Sequence, residues 1–152
     1  MLLTHVLPTI FIYIPESILT ITITCALLGI KEEWRKLIPM GVLLGIEMYS
    51  VGYLSGSYIL VMLVHYVFVV GGLRILNVEG FYQIAICTSI TFSIVLMLEY
   101  LCLSFLAFAV DIHPQILMEN PVLRIEVFAV QICLALSINI VLKKSRLSIF
   151  GD

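Results

Sequence analysis

Five ionisable side chains, Glu16, Glu47, His65, Glu99 and Glu126, stand inside stretches that are otherwise almost wholly apolar. A charged group in the middle of a hydrocarbon layer costs on the order of 3 kcal/mol, so each must be paired, neutralised or hydrated. Glu16 follows Pro15, whose ring withholds an N–H from the carbonyl of Phe11 and favours a kink. Glu16, Thr20 and Thr24 recur every four residues and share a helix face. Such a stripe suits a bundle interior or a ligand-facing wall, or a protonated carboxyl bonded to a neighbouring helix for stability. His65 has the same two readings: a neutral ring bonded to a carboxyl or hydroxyl, or a proton relay.

Gly41, Gly45, Gly52 and Gly56 fall within an arc of about 60° on a helical wheel, a flat ridge for close packing of helices. Glu47 projects roughly opposite that ridge and must find another partner or reach water. Further along, Thr88, Thr91, Glu99 and Cys102 occupy an arc of about 80°. Glu99, Arg124, Glu126 and His113 are expected near one end of the molecule. They form the candidate recognition surface, or alternatively an interfacial ion pair that anchors a loop. Arg124 could pair with Glu126, Glu119 or Glu99.

Enzyme chemistry has no foothold in the sequence. There is no GxSxG, HExxH or phosphate-binding glycine loop. Glu32-Glu33-Trp34-Arg35 shares its paired glutamates with the EExxxR element of intramembrane glutamyl proteases, but the arginine spacing is wrong. Cys25, Cys87, Cys102 and Cys133 form no CxxC and read as small apolar filler. No spacing demands a metal, and no cofactor is expected.

The elements that hold these residues are set by composition. Of 152 residues, 62% are apolar and 12% charged, with a mean hydropathy of +1.17. A soluble domain of this size could not hide so much hydrocarbon. Apolar runs cover about 6–30, 37–54, 58–73, 81–110 and 122–142, too long for barrel strands and without alternation. Backbone groups in lipid must pair within their own segment, which leaves helices. The expected fold is all-α: one polytopic membrane bundle over 1–152 with about five spans. The first run lacks a basic leader and carries Glu16 at its middle, so it reads as a retained span instead of a cleaved signal.

Orientation follows from the basic residues. Lys31, Arg35, Lys36, Arg74, Lys143, Lys144 and Arg146 share one side of a five-span chain, and the other side has only Arg124. By the positive-inside rule the amino terminus is expected outside and the carboxyl terminus in the cytoplasm. The net charge of −2 and the scattered basic residues argue against nucleic acid.

Several short segments carry a family resemblance. They are Leu27-Leu28-Gly29-Ile30-Lys31, Leu96-Met97-Leu98-Glu99, Asn120-Pro121-Val122-Leu123-Arg124-Ile125 and the exit Lys143-Lys144. Their order resembles the membrane-sensor region of accessory-gene-regulator-type (GHKL) bacterial sensor histidine kinases, over nearly the whole chain. The resemblance implies a receptor for a peptide or small signal. No phospho-acceptor segment or nucleotide-binding fold is read in the residues after Arg146, so the expectation is either a truncated sensor module or a relative whose output passes to a cytoplasmic signalling protein or through a homo-oligomer. The expectation is therefore a non-enzymatic, multi-pass sensor or relay of the bacterial cytoplasmic or inner membrane, with the lipid bilayer as its solvent. Two alternatives stand beside it: a small substrate-binding subunit of a transporter, and a scaffold of a cell-envelope complex.

Overall fold

The computed structural model describes residues 9–31, 33–76, 78, 80–110, 121–145 and 148–150, with the backbone alone for 110 and 121–124. Among these residues every regular element is helical. The helices are α1 (Ile14–Leu28), α2 (Trp34–Ser55), α3 (Tyr58–Ile75), α4 (Phe81–Val110) and α5 (Pro121–Lys144). All five spans are long and apolar enough to cross a membrane, the first counted together with the turn that precedes α1. The first span is described from Thr9 onward, and its expected start near residue 6 lies outside the described residues. α2 begins at Trp34 instead of Leu37: the Glu33 carbonyl accepts from the N–H groups of Lys36 and Leu37, which leaves Pro39 inside the helix.

The expected distortion at Pro15 takes a definite form. Thr9–Tyr13 make a π-helical turn, and Pro15 falls at the start of the α-helical part. A proline cannot donate to the turn behind it, so a widened turn followed by a fresh helical start accommodates the ring.

α1 is the axis of the bundle. It packs against α2, α4 and α5, while α3 bridges α2 to α4 on the outside. Just over half of its membrane-length window (56%) is buried, against 28% or less for the other four. The outer helices instead turn residues such as Leu43, Leu54, Ile59 and Phe108 outward. In water these would be a liability; in lipid they are the solvent-facing surface.

Close approach of α1 and α2 depends on the glycines. A Cβ at Gly41 would meet Ile18, and one at Gly45 would meet Ile14. Gly52 instead faces Val61 of α3, so the ridge is divided between two neighbours within the same chain. Gly56 ends α2 in the left-handed conformation (φ 59°), its N–H donating to the Gly52 carbonyl at 3.0 Å. Ser57 then caps α3 by accepting from the N–H of Leu60 at 3.4 Å. The two-residue turn therefore stops one helix and starts the next, and it leaves Tyr58 at the end of the bundle.

At the opposite end, Gly29 (φ 73°) closes α1. The N–H of Ile149 returns to the Leu27 carbonyl at 2.8 Å, tying the segment after α5 to the end of α1. Lys143 lies 5.7 Å from the ring centroid of Trp34. The basic residues Lys31, Arg35, Lys36, Arg74, Lys143 and Lys144 therefore share this end.

Candidate functional site

At the end away from the basic residues, the five helices splay around a cavity of about 260 Å³. Each helix contributes to its wall. Ile12, Tyr13 and Glu16 come from the first span, Met48 and Gly52 from α2, and Tyr58, Val61 and Met62 from α3. α4 supplies Glu99 and Leu103, and α5 supplies Val127, Phe128 and Gln131. The lining is mostly apolar, with a few polar groups that converge, the composition expected of a small-ligand site.

Tyr58 donates its phenolic O–H to Glu99 Oε2 at 2.8 Å. The bond follows from the tight turn, because Ser57 caps α3 and Tyr58 is the first residue of its first turn. Tyr58 and Glu99 both line the cavity, and their bond holds one oxygen of the carboxyl group in place. Gln131 reaches the same space from α5 and is 5% exposed. Glu16 lines the main cavity and two smaller ones beneath it, so it marks where the cavity leads inward.

Deeper in the bundle, His65 Nδ1 lies 3.0 Å from Glu47 Oε2. Their side chains are 2% and 11% exposed. Glu47 thus finds its partner on α3, the helix that Gly52 also faces. Phe92 of α4 covers the imidazole, with ring centroids 5.7 Å apart. Nε2 of His65 and Oε1 of Glu47 are buried with no hydrogen-bond partner among the described residues. A buried unsatisfied polar atom costs about 1–3 kcal/mol.

Along its length α1 presents polar groups to each of its main neighbours. The Ser17 hydroxyl donates to the Tyr13 carbonyl at 2.8 Å and touches Met48 Sδ at 3.6 Å on α2. The hydroxyls of Thr24 and Thr91 are 3.0 Å apart between α1 and α4. Asn139 of α5 donates its amide to the Thr22 hydroxyl at 3.4 Å. Ser and Thr in a membrane helix satisfy themselves first on the preceding turn, as Thr24 does on the Thr20 carbonyl at 2.8 Å. They then serve as short polar contacts between helices.

The sequence-derived site residues are divided by this geometry. Glu99 is in the cavity wall. Glu126 is exposed, although its neighbours Val127 and Phe128 line the cavity. The side chain of Arg124, and all of His113, lie outside the described residues. Glu16, assigned to a polar stripe, joins Glu99 in the same wall, and Glu47 and His65 form one pair. Tyr58, Gln131 and Asn139 were not among the sequence candidates. The turn signal before Tyr58 and the isolated amides within an apolar α5 were the marks that pointed to them.

Cys25, Cys87 and Cys102 are buried and Cys133 is exposed, and no disulfide joins any of the four. Among the described residues no three His, Cys, Asp or Glu side chains gather as a metal site. Comparison with protein-family models, with curated proteins and with solved structures finds no match to this chain.

Proposed function

We propose that the chain is a membrane-embedded sensing or signal-relay module that takes a small molecule, or one end of a peptide, into the cavity between its helices. One observation supports this reading most strongly: all five helices line the cavity. A ligand that fills it touches every helix, so its binding energy acts on their mutual packing and not on one loop. A shift between two packings needs only that differential contact. The Tyr58–Glu99 bond and Gln131 supply orientation, and the apolar wall supplies affinity.

The basic end is placed in the cytoplasm by the positive-inside rule, which puts the cavity toward the outer face. α1 carries displacement between the two ends, since it contacts three of the other helices and is tied to the segment after α5 at Leu27. The receiving partner is a cytoplasmic signalling protein or a second copy of the chain. Catalysis is not part of this reading.

The test is a panel of small molecules and short peptides, scored by thermal shift of the protein in lipid nanodiscs. Stabilisation by a compound, weakened in Tyr58→Phe and Glu99→Gln, supports the site. A response that both variants leave unchanged refutes it. Single-cysteine labelling at positions 33 and 57 tests the orientation: position 33 should react from the cytoplasm and position 57 from outside.

A second reading, a small substrate-binding subunit of a transporter, is favoured by the polar groups that continue inward from the cavity through Thr20, Thr24 and Thr91. Flux of a solute across liposomes that hold the chain, or its co-purification with an ATPase pair, would decide for transport.

A further inference from the structure

A small cavity of about 10 Å³ lies below the main one, bounded by Glu16, Thr20, Met48, Met62, His65 and Phe92, with Val95 and Leu96 completing the wall. Met48, Met62 and Glu16 line both cavities. Methionine side chains are flexible and divide such spaces weakly. The volume suits one water molecule, and a buried water needs two to four polar partners. His65, Glu16 and Thr20 are the residues of its wall that carry polar side chains, among apolar neighbours. His65 is 2% exposed, and its Nε2 has no partner among the described residues.

We infer that the His65–Glu47 pair is a proton-binding site, served through one water from Glu16 at the floor of the main cavity. The relay balances without any further reactant. Glu16 in its protonated form gives its O–H proton to the water. The water passes one of its own protons to the Nε2 lone pair. The proton on Nδ1 moves to Glu47 Oε2. The net change is one proton from Glu16 to Glu47, with the imidazole left as its other tautomer and still bonded to Glu47, now as acceptor. The groups facing His65 are Glu47 from α2 and Glu16 from α1. α4 contributes Phe92, Val95 and Leu96, none of which titrates. The site thereby links the protonation of a buried pair to whatever occupies the cavity above Glu16.

The full chain, labelled with ¹⁵N in its histidine rings and held in lipid nanodiscs, tests this. The His65 signals are those lost in His65→Gln. Magnetisation transfer between bulk water and the His65 ring is expected in the unaltered protein and is expected to disappear in Glu16→Gln. If Glu16→Gln does not fold, Thr20→Val, which removes only a hydroxyl, is expected to abolish the transfer in its place. Absence of transfer in the unaltered protein, or its persistence in the folded variant, overturns the relay. The measurement needs no ligand, so its failure leaves the ligand-site reading standing.

Discussion

Replacing Gly45 by alanine should loosen the bundle at the α1–α2 contact, and the same substitution at Gly71 should not. A Cβ added at Gly45 would stand 2.7 Å from Ile14 Cα and 2.8 Å from Ile14 N. Both are backbone atoms of the neighbouring helix and cannot rotate away. The helices must separate, and a gap of about 0.5–1 Å forfeits a quarter to a half of the dispersion energy of each contact that is stretched. Overpacking of this kind costs about 1–3 kcal/mol. Alanine recovers about 0.5–1 kcal/mol through its greater helix preference. The expected net loss is about 1–2 kcal/mol, rising in Gly45→Val. At Gly71 an added Cβ meets no heavy atom within 4 Å, so only the gain applies. Gly52→Ala behaves like Gly71→Ala, because its nearest neighbour, a Val61 methyl, is at an ordinary 3.6 Å. Unfolding in mixed micelles titrated with SDS, followed by the fluorescence of Trp34, reads these differences. Gly45→Ala with a midpoint equal to or above that of Gly71→Ala would refute the packing argument.

Three other substitutions probe the polar groups and the tie at the basic end. His65→Leu leaves the Glu47 carboxyl buried without its partner and should cost about 3 kcal/mol or more, whereas the double variant His65→Leu/Glu47→Leu should recover much of it. The same SDS titration measures both, and additive losses would mean that the pair is not coupled. Tyr58→Phe removes the donor to Glu99 and should weaken a ligand of the cavity by about 1 kcal/mol, roughly fivefold in Kd by isothermal titration, with little change in unfolding midpoint. Ile149→Pro deletes the N–H that returns to the Leu27 carbonyl and should speed amide exchange at the carboxyl-terminal turn of α1, read by hydrogen exchange and mass spectrometry, without altering the cavity end.

Much of the architecture was legible in the residues themselves. The apolar runs announce five helices long and apolar enough to cross a membrane, because a helix that must satisfy its own backbone in lipid is declared by composition and length alone. The break between the runs 37–54 and 58–73 is filled by a local device, a left-handed glycine followed by a capping serine. The basic residues, read by sign and position, were assigned to one side, and the packed helices bring those described to one end of the bundle.

What remained for tertiary structure was partnership. A helical wheel shows which way Glu47 points but not that His65, eighteen residues on and across a turn, arrives at 3.0 Å. The ridge of glycines did not reveal that Gly45 meets α1 while Gly52 meets α3. Nor did hydropathy distinguish the central helix from those around it, because residues facing lipid and residues facing other helices are equally apolar. Only the packed arrangement makes α1 the axis, turns its Ser and Thr side chains toward three neighbours, and gathers Glu16, Tyr58, Glu99 and Gln131 around one cavity. Local sequence determines each helix in lipid; the choice of neighbours depends on short-range shape and on a few hydrogen bonds, and those exist only once the helices have met.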